Sequence, residues 1–263
     1  KTPAIRRVQN ICEYLTYSTF RYLNRGTYEK DKLVLKLLIA LKIFATAGVL
    51  SASDIMVLLR AGAGIDENAI AKLPFAWLDL EVWKNIHELS MKVKFFKDLP
   101  ANINRSGAIW QTFVECDKPE IAAVPDYQSQ LDELPSAIGT FYKLLLVRSL
   151  RKDRCLLAVK EFIEAADVVN VNGTEIPALG PRFVEPITDE LNDVLASTHY
   201  LTPIIFLLST GADPTEDVNS LARKKKLPAP FVISMGEGQE APAMRGVSEA
   251  TSNGTWVLMQ CME

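Results

Sequence analysis

The chain has 263 residues, 48% of them hydrophobic, which is enough for a sizeable core and for one to two domains. A formal net charge of −3 provides no basic footprint for a polyanion and argues against nucleic-acid binding. Cys12, Cys116, Cys155 and Cys261 stand far apart without CxxC spacing, a pattern of reduced thiols that excludes a visible disulfide or zinc framework.

In chain order, helical runs are predicted from Arg6 to Leu59. No signal peptide opens the chain, and its most apolar stretch, Leu33 to Leu50, contains Lys36 and Lys42. Each lysine near a bilayer centre costs roughly 2.5–3.5 kcal/mol, so this stretch reads as a buried helix and not as a membrane span. Ser51 or Ser53 can cap the helix carrying Ile55, Leu58 and Leu59. Gly62, Gly64 and Pro74 mark a loop. Trp77, Leu80, Trp83, Ile86 and Leu89 then recur at three-residue spacing, which suits the core face of one helix. Pro119, Pro125 and Pro135 break helices, and the acidic stretch Asp126 to Glu133 reads as a solvated connection.

Phe141, Leu144, Leu145 and Arg148 suit one helix, and Leu156, Val159, Phe162 and Ile163 the face of the next, with Asp153 as a cap between them. Two helices joined by a short RKDR turn should pack as an antiparallel hairpin. Arg148, Arg151 and Arg154 could act as arginine fingers, but local salt bridges at the hairpin edge are the simpler role. His87 and His199 lack a second ligand at metal spacing, and no local signature supports a Cys–His nucleophilic pair.

Thr202 to Lys226 reads as a strand, a glycine turn and a helix start, the layout with which nucleotide-binding proteins hold phosphate. The chemistry of that layout, GxxxxGK[ST], is missing. The turn offers Thr210 and Gly211 but no lysine, and Asp213, Glu216 and Asp217 stand where the anion would sit. A like charge about 5 Å away costs on the order of 3 kcal/mol at an effective dielectric of about 20, so this loop should repel a triphosphate. The same residues make sense structurally: Thr215 as N-cap, Glu216 and Asp217 in the first helical turn, and Arg223 to Lys226 at the far end. For the other role, Asp213 as a ligand of Mg²⁺ or ribose, the sequence fixes no second polar cluster beside it.

Strands are predicted at Pro203 to Leu208, Phe231 to Met235 and Thr255 to Met259, with a helix over Ala241 to Thr251, so a three-stranded parallel sheet is expected. Phe206 would be a core residue of its first strand. Gly236 and Gly238 lack the spacing of a dinucleotide fingerprint and suit a tight strand exit. The third strand ends Gln260, Cys261, Met262, Glu263, and a lone terminal Glu is poor equipment for polarising water.

The blocks YLTYSTFRYLNRGTYEKDKL (Tyr14 to Leu33), FYKLLLVRSLRKDR (Phe141 to Arg154), TPIIFLLSTGADPT, ISMGEGQE and GTWVLMQ together resemble the dynein heavy chain, from the end of its fifth AAA+ module into its sixth. With LLIALKI (Leu37 to Ile43), the wording is most similar to axonemal outer-arm chains of the gamma type. Lys152 stands where the family commonly has proline, GEGQ where it has GQGQ, and QCME where QNCH is usual. Asn170 to Gly180 departs further from the family's text.

The resemblance implies a mixed α and α/β fold: a helical N-terminal two-thirds followed by a partial P-loop-like AAA+ parallel sheet domain. Its parts would be the lid of the fifth module over 1–65, a helical region over 66–200, and a partial sixth-module core with a degenerate phosphate loop over 201–263. It implies a non-catalytic segment of an ATP-driven microtubule motor ring. No catalytic, cofactor or metal residue is expected, the degenerate positions being Thr210, Gly211, Asp213 and Thr215, with Gln260 and Cys261 at the third-strand end. ATP and Mg would be held by other modules. Partners would be neighbouring AAA+ modules, microtubules and other dynein chains, in a cilium or flagellum, with neither nucleic acid nor membrane. From the residues alone two further readings stay open: an independent nucleotide-binding enzyme, with Lys or Arg supplied by the helical part, and a helical adaptor for protein partners.

Overall fold

The computed structural model describes residues 3–60, 72–185, 187 and 190–261. The chain forms two compact units, Lys1–Pro186 and Ile187–Glu263.

In the first unit the helices are α1 (Ala4–Arg25), α2 (Lys32–Thr46), α3 (Ala52–Leu59), α4 (Leu80–Lys92), α5 (Leu99–Arg105), α6 (Gly107–Glu115), α7 (Gln128–Asp132), α8 (Ser136–Leu150) and α9 (Cys155–Ala165). A hairpin of β1 (Val168–Val171) and β2 (Thr174–Pro177) follows. Ser51 caps α3, its side chain accepting from the Asp54 amide. The predicted loop residues Gly62 and Gly64 lie outside the described residues.

α8 and α9 pack as an antiparallel pair around the RKDR turn: the rings of Phe141 and Phe162 meet at 5.6 Å, and Phe162 in turn meets Phe44 of α2 at 6.1 Å. Buried Leu37, Ala40, Leu41 and Phe44 make one face of α2, whereas Val34 and Leu38 are exposed. Trp83, Ile86 and Leu89 of α4 are fully buried and α4 lies against α8. The stripe predicted from Trp77 is shorter than expected, because Trp77 precedes the helix and Leu80 is half-exposed at its first position. Leu156 is likewise exposed, in the first turn of α9, although it shares a face with the buried Val159 and Ile163. Asp153 caps nothing, since its carboxylate pairs with Arg151.

Two stretches differ from the sequence reading. Asp126 to Glu133 is no solvated connection but carries α7, with Tyr127 and Leu131 buried four residues apart on one face. The Trp110 indole donates to Asp126 at 3.1 Å, and Asn102 donates to the Tyr127 hydroxyl at 3.1 Å. Burial is the main cause pushing Tyr127 up to about 12. The region expected to be helical up to residue 200 also contains the β1–β2 hairpin, in antiparallel register Val169↔Ile176 and Val171↔Thr174. Its two-residue turn, Asn172 and Gly173, has φ of 51° and 79°, the left-handed geometry that matches strand twist.

The second unit contains α10 (Leu191–Ala196), α11 (Thr215–Lys224), β3 (Phe231–Ser234), α12 (Glu240–Asn253) and β4 (Val257–Gln260). β3 and β4 pair in parallel, Phe231↔Val257 through Ser234↔Gln260, with α12 as the crossover. The expected three-stranded sheet is therefore two-stranded among the described residues. Pro203 to Leu208 runs without a ladder, and Ile205, Leu207 and Leu208 are exposed. A strand exists only with a partner for its amides, and β3 and β4 are bonded to each other. Phe206 is half-buried, so it is not the enclosed core residue foreseen from its apolar run.

Candidate functional site

The degenerate phosphate loop lies in the second unit, between Ser209 and the first turn of α11. Ser209, Thr210, Gly211 and Ala212 form a turn closed by the Ala212 amide on the Ser209 carbonyl at 3.0 Å. Gly211 sits at φ 84° with open space where a Cβ would be, so glycine serves the backbone angle and not a close contact. Asp213 follows, and Pro214 leads into the helix.

Capping is done by Asp213 and not by Thr215 as foreseen. The Thr215 amide donates to Asp213 Oδ1 at 2.9 Å and its hydroxyl donates to the same oxygen at 2.5 Å. Those bonds, the hydroxyl's first, hold the Asp213 carboxyl below the ordinary range. Glu216 and Asp217 occupy the first turn, and Glu216 pairs with Arg223 seven residues on. The helix ends where Lys226 takes φ 60° and the Leu227 amide returns to the Ala222 carbonyl at 2.9 Å. Carboxylates at one end and cations at the other follow the helix dipole.

Gln260, the last residue of β4, donates its side-chain amide to the Thr215 hydroxyl at 2.9 Å. Asp213, Thr215 and Gln260 therefore form one chain of hydrogen bonds joining the sheet end to the helix start. Nothing in the sequence fixes this link across 45 residues. Thr210 stays exposed in the turn, and Cys261, exposed at φ 55°, joins no cluster. Met262 and Glu263 lie outside the described residues. Among the described residues no group of His, Cys, Asp and Glu is arranged to hold a metal ion.

In the first unit the three arginines act as edge braces. Arg148 donates to the Val57 carbonyl at 3.2 Å, and Arg151 forks onto Asp153 at 2.9 and 2.7 Å. Arg154 forks onto buried Glu120. His87 packs edge-on against Trp83 at 4.6 Å, and in the second unit His199 lies against Tyr200 at 4.0 Å. No described helix is long and apolar enough to cross a membrane.

Helices followed by a parallel strand pair, with a capped loop at a helix start, define a mixed α and α/β chain ending in a P-loop-type module. The family described as dynein heavy chain region D6 P-loop domain matches residues 199–263. The chain is 34% identical over 256 residues to the dynein gamma chain, flagellar outer arm, of Chlamydomonas reinhardtii, covering 97% of this chain and 5% of that protein. It is 35% identical to human dynein axonemal heavy chain 8, with the same coverage of each chain. Against the dynein-1-beta heavy chain, flagellar inner arm I1 complex, of Chlamydomonas reinhardtii, identity is 29%, covering 96% of this chain and 5% of that one. The chain belongs to the dynein heavy chain family and stands with its axonemal members. It spans about 5% of the length of these relatives.

Proposed function

We propose that the chain is a non-catalytic structural segment of an axonemal dynein heavy chain, part of an ATP-driven microtubule motor ring. Residues 1–65 would be the lid of a fifth AAA+ module, 66–200 the helical lead into the sixth, and 201–263 part of the sixth-module core. ATP and Mg would be bound by other modules, with neighbouring modules as direct partners and microtubules and other dynein chains as partners of the whole motor.

What supports this reading is the occupancy of the loop by the protein itself. The Thr215 amide and hydroxyl, the groups at the helix start that a phosphate would need, both donate to Asp213, and the hydroxyl also accepts from Gln260. A nucleotide would have to displace a carboxylate from those donors with no lysine in the loop to compensate its charge. A module without nucleotide can pass movement between its neighbours as a body, through packed helices with discrete arrangements.

Calorimetric titration with Mg·ATP and Mg·ADP is the test. No saturable heat is expected. Saturable micromolar binding that maps to Gly211 to Thr215 overturns the proposal.

A further inference from the structure

α1 packs one face, of mixed polar and aromatic residues, on its own unit and leaves an apolar face bare. Gln9, Glu13, Tyr17, Phe20 and Asn24 lie on one side and meet the rest of the first unit. Gln9 donates to the Glu175 carbonyl at 2.6 Å, Glu13 pairs with Arg182 at 3.1 Å, and Phe20 meets Phe183 at 4.9 Å. On the opposite side Val8, Ile11, Leu15 and Tyr22 point outward with exposures between 56% and 75%.

That outward row has a period. Val8, Leu15 and Tyr22 recur every seven residues, and Ile11 falls three after Val8 and four before Leu15. Apolar residues spaced three and four apart make the narrow seam along which two helices interlock side chains. From Val8 to Tyr22 the seam runs about 21 Å at 1.5 Å per residue. Contiguous apolar rows of this size on a soluble surface mark an interaction site.

We propose that the outward face of α1 is the docking seam for a second helix supplied by the same heavy chain from outside these 263 residues. The proposal rests on the reading above that the chain is a heavy-chain segment. The length of the relatives carries the choice of occupant: this chain covers 97% of itself but only 5% of each, so nearly all of a heavy chain lies outside it. A helix tethered in the same polypeptide competes at an effective concentration on the order of millimolar. A second copy has no such advantage.

The test uses the full-length heavy chain containing this segment. A photo-crosslinking amino acid is placed at Leu15, and at exposed Asn10 on another side of α1 as control. Crosslinked peptides joining Leu15 to a segment of the same heavy chain outside residues 1–263, and absent from Asn10, are expected. A crosslink from Leu15 to a second heavy chain or to another protein overturns the proposal. As a readout that tolerates poor crosslinking, Leu15→Cys should be alkylated at least about tenfold more slowly than Asn10→Cys, because a helix packed on the seam excludes reagent. Equal rates overturn it too. Either failure leaves the nucleotide titration unaffected, so the two readings fail separately.

Discussion

Arg154 grips Glu120 through two hydrogen bonds, Nε to Oε2 at 3.1 Å and Nη2 to Oε1, across 34 residues of chain. The Glu120 side chain is only 6% exposed, so this pair ties the α8–α9 turn to the segment after α6 with little help from water. Glu120→Gln keeps the shape and removes the charge, and should cost roughly 1–3 kcal/mol. The hydrogen bond from Arg154 holds the Glu120 carboxyl below its ordinary value of 4.5. The folded state therefore binds that proton less readily than the unfolded chain. Its stabilisation is full above pH 4.5 and is lost as pH falls through the lowered folded value. Urea melts from pH 7 to pH 3 should show a steeper loss for the unmodified chain than for Glu120→Gln. Parallel losses would refute the assignment.

A second pH dependence lies higher. Burial lowers the His87 imidazole from its ordinary 6.5, and its ring packs on Trp83 at 4.6 Å. Above pH 6.5 both folded and unfolded forms are neutral and stability is unaffected. As pH falls from 6.5 towards the lowered folded value, the unfolded chain gains a proton that the fold refuses, so stability declines. Thermal melts between pH 7.5 and pH 5.5 should slope downward, and His87→Gln should flatten the slope. An imidazole that titrates above 6.5 by NMR would contradict this.

Gly139 tests close packing against helix propensity. It is buried in α8, and a Cβ there would stand 2.9 Å from the Leu131 carbonyl oxygen of α7, a backbone atom that cannot swing aside. Propensity alone predicts that Gly139→Ala stabilises the helix by about 1 kcal/mol. The contact predicts the opposite, a net loss of roughly 1–3 kcal/mol as α7 is pushed away. Chemical denaturation decides between the signs.

Thr215→Val examines the loop. It removes the hydroxyl that donates to Asp213 and accepts from Gln260, and leaves the backbone amide in place. The Asp213 carboxyl should then move up towards its ordinary 3.8, because the hydroxyl is the larger of the two causes lowering it. A carboxylate titration followed by NMR reads this directly, and an unchanged Asp213 would show that the amide alone sets its value.

The helices of the first unit were legible where apolar residues repeat at helical spacing, as in Trp83, Ile86 and Leu89 or in Phe141, Leu144 and Leu145, all buried. Acidity masked the pair Tyr127 and Leu131, whose four-residue spacing was the available signal for α7. The β1–β2 hairpin also carries a signal, the Asn172–Gly173 dipeptide between alternating residues. Strand pairing was less accessible. Pro203 to Leu208 has the composition of a strand, but composition cannot state whether a neighbour will supply hydrogen bonds. At the loop, the excess of carboxylate and the missing lysine were plain in the sequence. That Asp213 turns inward onto Thr215, and that Gln260 reaches it from β4, depends on how the crossover places two distant segments.

The contact of Phe20 with Phe183 has a bearing on how the chain is made. Synthesis proceeds at about 5–20 residues per second, so the ring that clasps Phe20 is produced on the order of 10–30 s after it. Arg182, the partner of Glu13, is produced in the same late moment. Throughout that interval the inner face of α1 can rest on α2, where Lys36 lies over the Phe20 ring, but lacks the ring of Phe183. The contacts of α1 within its unit are therefore complete only once Arg182 and Phe183 have been made, and a chaperone acting on the growing chain would find its handle there.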